Sequence, residues 1–412
     1  MLNKSYVDCS LVERIVLRYS FIFFSLLVLV LNPVLPLPGF FYRLSDKAVI
    51  WFANGILNLN YILPSYRNGG SGDTLYHYVL LLLILWISLA GCVIWSFIDR
   101  SKKQYSTTHY WLTVMIRYYL GLTLVTYGLY KVIKVQFASP DLIRLIEPYG
   151  DSSPMGLAWT FLGFSDGYNL FMGVAEILAA LLFFRRTVTL GALICVAVSA
   201  NIMAINFFFD VPVKLLSTML LLMSIFLLAP NFKRLFKLFF NGEAVKLRVI
   251  DRPFTLKKGL NLSMVYLKYS ILLAIIGYTG YSIAEQSKSY GDNAPKLPLY
   301  GVYKVDNFIS ERLLPNWDKL IIQRSSYSAV SMQGGNVEYC DMTVDTTKSQ
   351  LTLAFKSDPK TVHRFNYSNP DLDHIELNGM YFDQKTKVIM TKMHFVLIER
   401  PFNWVSEEPY NR

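Results

Sequence analysis

Glu176 is the residue best placed to do chemistry, because it stands inside the apolar run GVAEILAALLFF at 173–184. An ionised carboxylate in such a run is costly unless it is paired, wetted or protonated. It can therefore exchange protons or hold a polar head group. Arg117 falls at a similar depth in a neighbouring apolar run, given a rise of about 1.5 Å per residue. Glu176 and Arg117 form the candidate catalytic pair. The competing reading is an ion pair that only locks two helices. Arg117, Gly121, Gly128 and Lys131 share one helical face, and Gly173, Glu176 and Ala180 share another. Small residues on both faces permit the close approach that excludes lipid.

A second polar level lies nearer a helix end. Lys131, Lys134, Asn206, Asp210 and Lys214 come from different apolar runs, and Pro212 interrupts the chain between Asp210 and Lys214. Freed carbonyls there can frame an outward-facing pocket for a quinone-like or anionic molecule. Lys131, Asn201, Asn206, Asp210 and Lys214 are the candidate ligand-binding residues. The structural alternative is a set of interfacial lysines beside an Asp-x-Pro turn. Asn201, nearest the middle of its run, is expected to make an interhelical hydrogen bond rather than a ligand contact.

Other chemistries find little support. Cys9, Cys92, Cys195 and Cys340 form no C-x-x-C pair, which argues against a redox dithiol. His77 and His109 sit at opposite ends of their runs and cannot together hold a haem. No H-E-x-x-H or Cys/His cluster supports zinc. Asp371, Asp373, His374 and Glu376 are read as a solvated turn rather than a metal site. Gly69-Gly70-Ser71-Gly72 lacks the Lys-Ser/Thr of a phosphate loop and is read as a flexible outer loop.

The elements that must position these residues are membrane helices. Apolar residues make up 53% of the chain and charged residues 17%, where a soluble domain carries about 25% charge. The net charge of +11 reflects basic loops beside apolar runs and does not indicate nucleic-acid binding. Seven segments have the length and composition to cross a bilayer: 19–38, 75–98, 112–134, 168–184, 188–209, 215–229 and 264–284. The first is read as an uncleaved span. Residues 44–63 are more polar and are expected to lie in the interface. Seven crossings, with the N-terminus in the cytoplasm, place Arg100, Lys102, Lys103, Arg185, Arg186 and the basic run 233–258 inside, as the positive-inside rule requires. Residues 286–412 then lie outside. There the pattern alternates, as in Leu351, Leu353 and Phe355, and turn signals occur at Gly334-Gly335-Asn336, Asp358-Pro359, Asn369-Pro370-Asp371 and Asn378-Gly379. Eight or nine short strands in an antiparallel barrel or sandwich are expected. Tyr300-Gly301-Val302-Tyr303, with Arg400 and Trp404, resembles a lipocalin-type barrel. The expected fold is thus an α-helical integral membrane bundle, about seven transmembrane helices plus an interfacial helix, over 1–285. A small antiparallel all-β domain follows over 286–412.

The stretches RYYLGLTLVTYGLYKVIKVQF (117–137), EPYGDSSPMGLAWTFLGFS (147–165), GVAEILAALLFFRRTVTLGAL (173–193) and FFDVPVKLLS (208–217) resemble DoxX-like bacterial membrane proteins. They are most similar to a long subgroup with an extra C-terminal β domain, to which the ending FNWVSEEPYNR (402–412) also corresponds. The likeness spans about 75–240, with the core near 110–240. Gly173, Glu176, Arg185 and Arg186 match the family pattern, and 210–214 matches the subgroup. The resemblance implies a four-helix membrane core in the bacterial inner membrane, a periplasmic C-terminal domain and a quinone-linked redox role with a bound quinone or a partner redox subunit. A more distant similarity to the membrane part of vitamin K-dependent carboxylases implies Lys214 or Lys131 as a base. The alternative to all of these is a non-enzymatic anchor whose β domain binds a lipid, a peptide or an envelope partner.

Overall fold

A computed structural model describes residues 10–30, 39–62, 71–100, 105–249, 258–311, 316–324 and 326–411. They form two units, one helical and one built on a β barrel. In chain order the helices are α1 (Leu11–Val30), α2 (Gly39–Trp51), α3 (Leu75–Ile98), α4 (Ser106–Val132), α5 (Leu142–Ile146), α6 (Pro154–Phe164), α7 (Asp166–Ile177), α8 (Val188–Phe208), α9 (Lys214–Leu228), α10 (Phe232–Asn241) and α11 (Lys258–Ser287). A tight 3-10 stretch, Leu178–Phe183, continues α7.

Six helical segments among the described residues are long and apolar enough to cross a membrane: Leu75–Ile98, Ser106–Val132, Asp166–Phe183, Val188–Phe208, Lys214–Asn241 and Gly259–Ser287. They correspond to six of the seven expected spans. Leu27, Leu112, Ile116, Leu120, Leu124, Leu182 and Met223 are fully buried in the core between the helices. Large apolar side chains such as Trp86, Phe97, Phe171 and Phe208 face outward, far more than a water-facing surface carries.

The remaining expected span, 19–38, does not begin where hydropathy places it. Ser10 and Glu13 form a reciprocal cap: the Glu13 N–H donates to Ser10 Oγ at 3.2 Å, and Glu13 Oε2 accepts the Ser10 N–H at 2.8 Å. This capping box starts α1 at Leu11. Its first half therefore carries Glu13, Arg14 and Arg18, while residues 31–38 lie outside the described residues. Over 44–62, the described part of the expected interfacial segment, the chain forms the end of α2 and a π turn, Phe52–Ile56, with Val49, Phe52 and Ala53 buried in the helical core. Asn58 and Asn60 then take left-handed φ values of 53° and 48° and turn the chain.

The second unit begins at Gln286 and also takes residues 137–153 and 159–165, which the sequence assigned to the membrane domain. Its strands are β1 (Gly301–Ser310), β2 (Trp317–Ile322), β3 (Ser328–Met332), β4 (Val337–Asp345), β5 (Gln350–Phe355), β6 (His363–Ser368), β7 (His374–Tyr381) and β8 (Gln384–Lys392). Each pairs antiparallel with the next and β8 returns to β1, so the barrel is closed. Alternate residues point inward. Trp317, Phe365, Tyr381, Leu320, Met342 and Leu353, among others, fill the interior, as is usual for a small barrel. Val302, Ile321 and Ala329 face the other way and are covered by Leu142 of α5. The Leu142 N–H donates to Gln323 Oε1 at 3.1 Å, and Asp292 accepts both the N–H and the hydroxyl of Ser139.

Three of the four expected turns connect strands. The fourth, Asn378-Gly379, lies inside β7, and the chain turns instead at Phe382-Asp383, both at positive φ. Gly379 serves a close approach: a Cβ there would stand 2.1 Å from the Arg364 carbonyl on the neighbouring strand. After β8 a last short helix, α12, spans Val396–Glu399.

Candidate functional site

Glu176 is buried on α7, and its partner is Lys131 rather than Arg117. Lys131 Nζ lies 2.8 Å from Oε1 and 2.9 Å from Oε2, and it also donates to Gln136 Oε1 at 3.0 Å. The helices around the pair run antiparallel and touch through glycines. A Cβ on Gly128 would meet the Gly173 carbonyl at 2.7 Å, and a Cβ on Gly173 would meet the Gly128 carbonyl at 2.7 Å. Backbone contact this close leaves no lipid between α4 and α7. Lys131 stands in the last turn of α4, where a cation suits the negative end of the helix dipole. Its four-carbon stem bridges the step back to Glu176. One turn further on, Lys134 pairs with Asp166, the first residue of α7.

Arg117 is also buried, and its fork is spent on backbone. Nε and Nη2 donate to the Leu182 carbonyl at 2.8 and 2.6 Å. That carbonyl belongs to the 3-10 stretch that ends α7, where carbonyls lack partners within the helix. Thr187 Oγ1 takes the Leu181 carbonyl at 2.6 Å and Lys268 of α11 takes the Phe183 carbonyl at 3.3 Å. Arg117 is thus one of three donors that cap a helix terminus. The expected Glu176–Arg117 pair is not formed, because antiparallel packing sets Arg117 opposite Leu182, six residues beyond Glu176 in the chain, and sets Lys131 beside Glu176. Hydropathy alone could not fix that register.

The second expected level comes together only in part. Asp210, at a left-handed φ of 52°, pairs with Lys214 at 2.8 Å, and Asn206 Nδ2 donates to the Val213 carbonyl at 3.3 Å. The turn is closed from elsewhere by Asp73, whose carboxylate accepts the N–H groups of Lys214 and Leu215 at 2.7 and 3.0 Å. Asp73 therefore caps α9, a role its place in the polar loop after 62 did not reveal. The Gly72 N–H donates to the Pro212 carbonyl at 2.8 Å. Lys131 does not join this group. Asn201 sits on the exposed side of α8, away from the polar residues expected beside it.

The sequence reading also passed over Arg18. It is buried and donates to Tyr105 Oη at 3.1 Å, Ser96 Oγ at 2.8 Å and the Asp99 carbonyl at 3.0 Å, while Tyr105 donates to Asp99 Oδ2 at 2.9 Å. A lone Arg within an apolar run was the available signal. A void of about 10 Å³ lies among Leu27, His77, Leu80, Leu81, Ile84, Leu215 and Met219, room for no more than one water.

In the barrel unit, Asp371 Oδ1 accepts the Asp373 and His374 N–H groups, and His374 Nδ1 lies 2.8 Å from the same carboxylate. This hydrogen bond holds the Asp371 carboxyl below the usual range and raises His374. Glu376 is paired with Lys387, so the acidic turn is spent on local structure. His394 has a carboxylate at each nitrogen, Glu399 at 3.1 Å from Nδ1 and Asp373 at 3.2 Å from Nε2, and both raise it. The buried thiol of Cys340 is pushed up to about 12 by loss of solvent. An open groove of about 590 Å³ runs beside Ile309, Ser310, Glu311, Asn378, Gly379, Met380, Lys385, Thr386 and Lys387, within the size range of small-molecule sites.

Among known proteins, the chain is 39% identical over 135 residues to the uncharacterized protein YwoB of Bacillus subtilis (strain 168). That match spans 32% of this chain and 85% of YwoB. No family model matches the chain, and no solved structure matches it significantly.

Proposed function

The chain belongs to the same family as YwoB, and from that starting point we propose that its helical unit is a multi-pass anchor for an extracytoplasmic, ligand- or partner-binding β barrel. The observation that carries this reading is where open space lies. Glu176 and Lys131 are paired with each other, Arg117 is held on a backbone carbonyl, and the barrel interior is filled, whereas the groove beside Lys385 and Lys387 is open. Its lining of Ile309, Met380, two lysines and Glu311 suits a lipid, a peptide or an envelope protein with an apolar body and a charged end. The proposal includes the DoxX-like assignment of 110–240, which rests on the resemblance of the quoted stretches, and an orientation in the bacterial inner membrane with a cytoplasmic N-terminus and a periplasmic barrel, supported by the basic residues gathered between alternate helices. The test is photocrosslinking in cells from Met380 of the full chain, read beside native mass spectrometry of the purified protein. A specific adduct lost in Lys385→Glu/Lys387→Glu is expected. Absence of both adduct and copurifying molecule sinks the reading.

A quinone-linked redox role is the second reading, favoured by Glu176 as a buried protonatable group beside a lysine. It requires α4 and α7 to part, since their glycine contact leaves no slot for a ring. Quinone in the wild-type protein, and less of it in Glu176→Gln, would support it; quinone-free wild type with no quinol-coupled activity would end it.

A further inference from the structure

Between α9 and α11 the chain makes a closed excursion. It leaves at Asn231 and is back at Arg248, and the buried Asn231 side chain joins the two ends. Its Oδ1 accepts the Arg248 N–H at 2.8 Å, and its Nδ2 donates to the Arg248 carbonyl at 3.2 Å and to Thr189 Oγ1 at 2.9 Å. The base of the excursion is thereby pinned beside the first turn of α8, next to Arg185 and Arg186.

Within it stands α10, FKRLFKLFFN. At 3.6 residues per turn, Phe232, Leu235, Phe236, Leu238, Phe239 and Phe240 fall on one side, and Lys233, Arg234, Lys237 and Asn241 on the other. None of these side chains is buried; Phe232, Phe239 and Phe240 are 66%, 62% and 76% exposed. Gly242, at φ +68°, stops the helix before it can extend away. Lys237 is steadied by Glu243, and Arg234 by the Pro230 carbonyl. Residues 232–249 carry five basic side chains against the single acid Glu243.

We propose that α10 lies flat in the membrane interface, with its phenylalanines among acyl chains, and binds anionic phospholipid head groups through Lys233, Arg234 and Lys237. The apolar sector fits the boundary layer of a bilayer, and the cationic sector fits phosphate. The pinned base holds the helix at the end of a bundle of membrane-length helices. This inference rests on the membrane reading of that bundle and not on the barrel's ligand.

The experiment uses the full chain in nanodiscs of phosphatidylcholine alone and of an equal mixture with phosphatidylglycerol, with hydrogen–deuterium exchange followed over 232–241. Exchange is expected to slow in the mixture by about fivefold for each engaged cation. Lys233→Gln/Arg234→Gln/Lys237→Gln should abolish that difference, while exchange in α8 and the barrel strands stays unchanged. Equal exchange in the two lipids, or an undiminished response in the triple variant, overturns head-group binding. Undiminished protection of 232–241 in both nanodiscs after Phe236→Asn/Phe239→Asn/Phe240→Asn overturns the interfacial placement, because burial of the phenylalanines among acyl chains would then not be what holds the helix. Release of the whole chain by alkaline carbonate would instead sink the membrane reading itself.

Discussion

Glu176→Gln removes the anion but leaves Lys131 in its apolar slot, and breaking a buried ion pair costs about 3–5 kcal/mol. The loss should appear as earlier unfolding in detergent titrations of the full chain, followed by tryptophan fluorescence. Lys131→Met/Glu176→Leu takes away both charges and is expected to recover most of that stability. A double variant as unstable as the single one would show that the pair does more than join two helices. Arg117→Lys keeps the charge but loses the planar fork on the Leu182 carbonyl. It should destabilise less than Arg117→Met, which leaves that carbonyl without its donor.

At the scale of elements, the α4–α7 contact is the most sensitive joint. Gly128→Ala sets a methyl against the Gly173 carbonyl and the Ile177 N–H, both backbone. Overpacking of this kind costs about 1–3 kcal/mol, and the same change at the outward-facing Gly277, where a Cβ meets nothing, should cost nothing measurable. Melting of the two variants side by side checks the contrast. In the barrel, His394 ties Asp373 to Glu399 across the segment leading into α12. A neutral ring has one N–H and cannot donate to both carboxylates. The pairing raises His394, so the stabilisation is complete below about pH 6.5 and is lost as pH climbs through the raised value. Chymotryptic cleavage after Phe395 should therefore quicken at alkaline pH relative to cuts elsewhere, and His394→Gln should cleave alike at both ends of the range.

The same joint shows what could be read from residue order. Gly121, Gly128 and Gly173 were legible as contact faces because helical periodicity fixes which residues share a side. The partner of Glu176 was not, because Arg117 and Lys131 stand about four turns apart on one face of α4, and hydropathy does not set the register between two apolar helices. Alternation made the strands legible. The β7–β8 turn was misplaced because Asn378-Gly379 carries the commonest hairpin pair, while at Phe382-Asp383 the closed barrel imposes positive φ on residues that do not favour it. The start of α1 was written in Ser10 and Glu13, but hydropathy outweighed a two-residue cap.

For the whole molecule, the proposed topology puts three crossings between Arg186 and the barrel, α8, α9 and α11, with α10 lying flat after α9. Arg412 and Arg186 are therefore expected on opposite sides of the bilayer. A membrane-impermeant thiol reagent on intact cells should label Arg412→Cys and spare Arg186→Cys; equal labelling would refute the arrangement. The barrel unit makes a second demand. Val302, Ile321 and Ala329 are covered by Leu142 from a distant part of the chain, so a fragment of 286–412 alone should self-associate. Linking 137–153 to it should restore a monomer on gel filtration.

The loan of 137–153 to the barrel has a consequence for biosynthesis. That segment leaves the ribosome well before Gly301, the first strand residue, and must wait on the correct face of the bilayer for its partner. A nascent chain that threads α4 and α7 the wrong way round delivers Leu142 to the opposite compartment and strands an uncovered barrel. Burial of Val302, Ile321 and Ala329 therefore comes last in synthesis and depends on where the earlier-made Leu142 has been left.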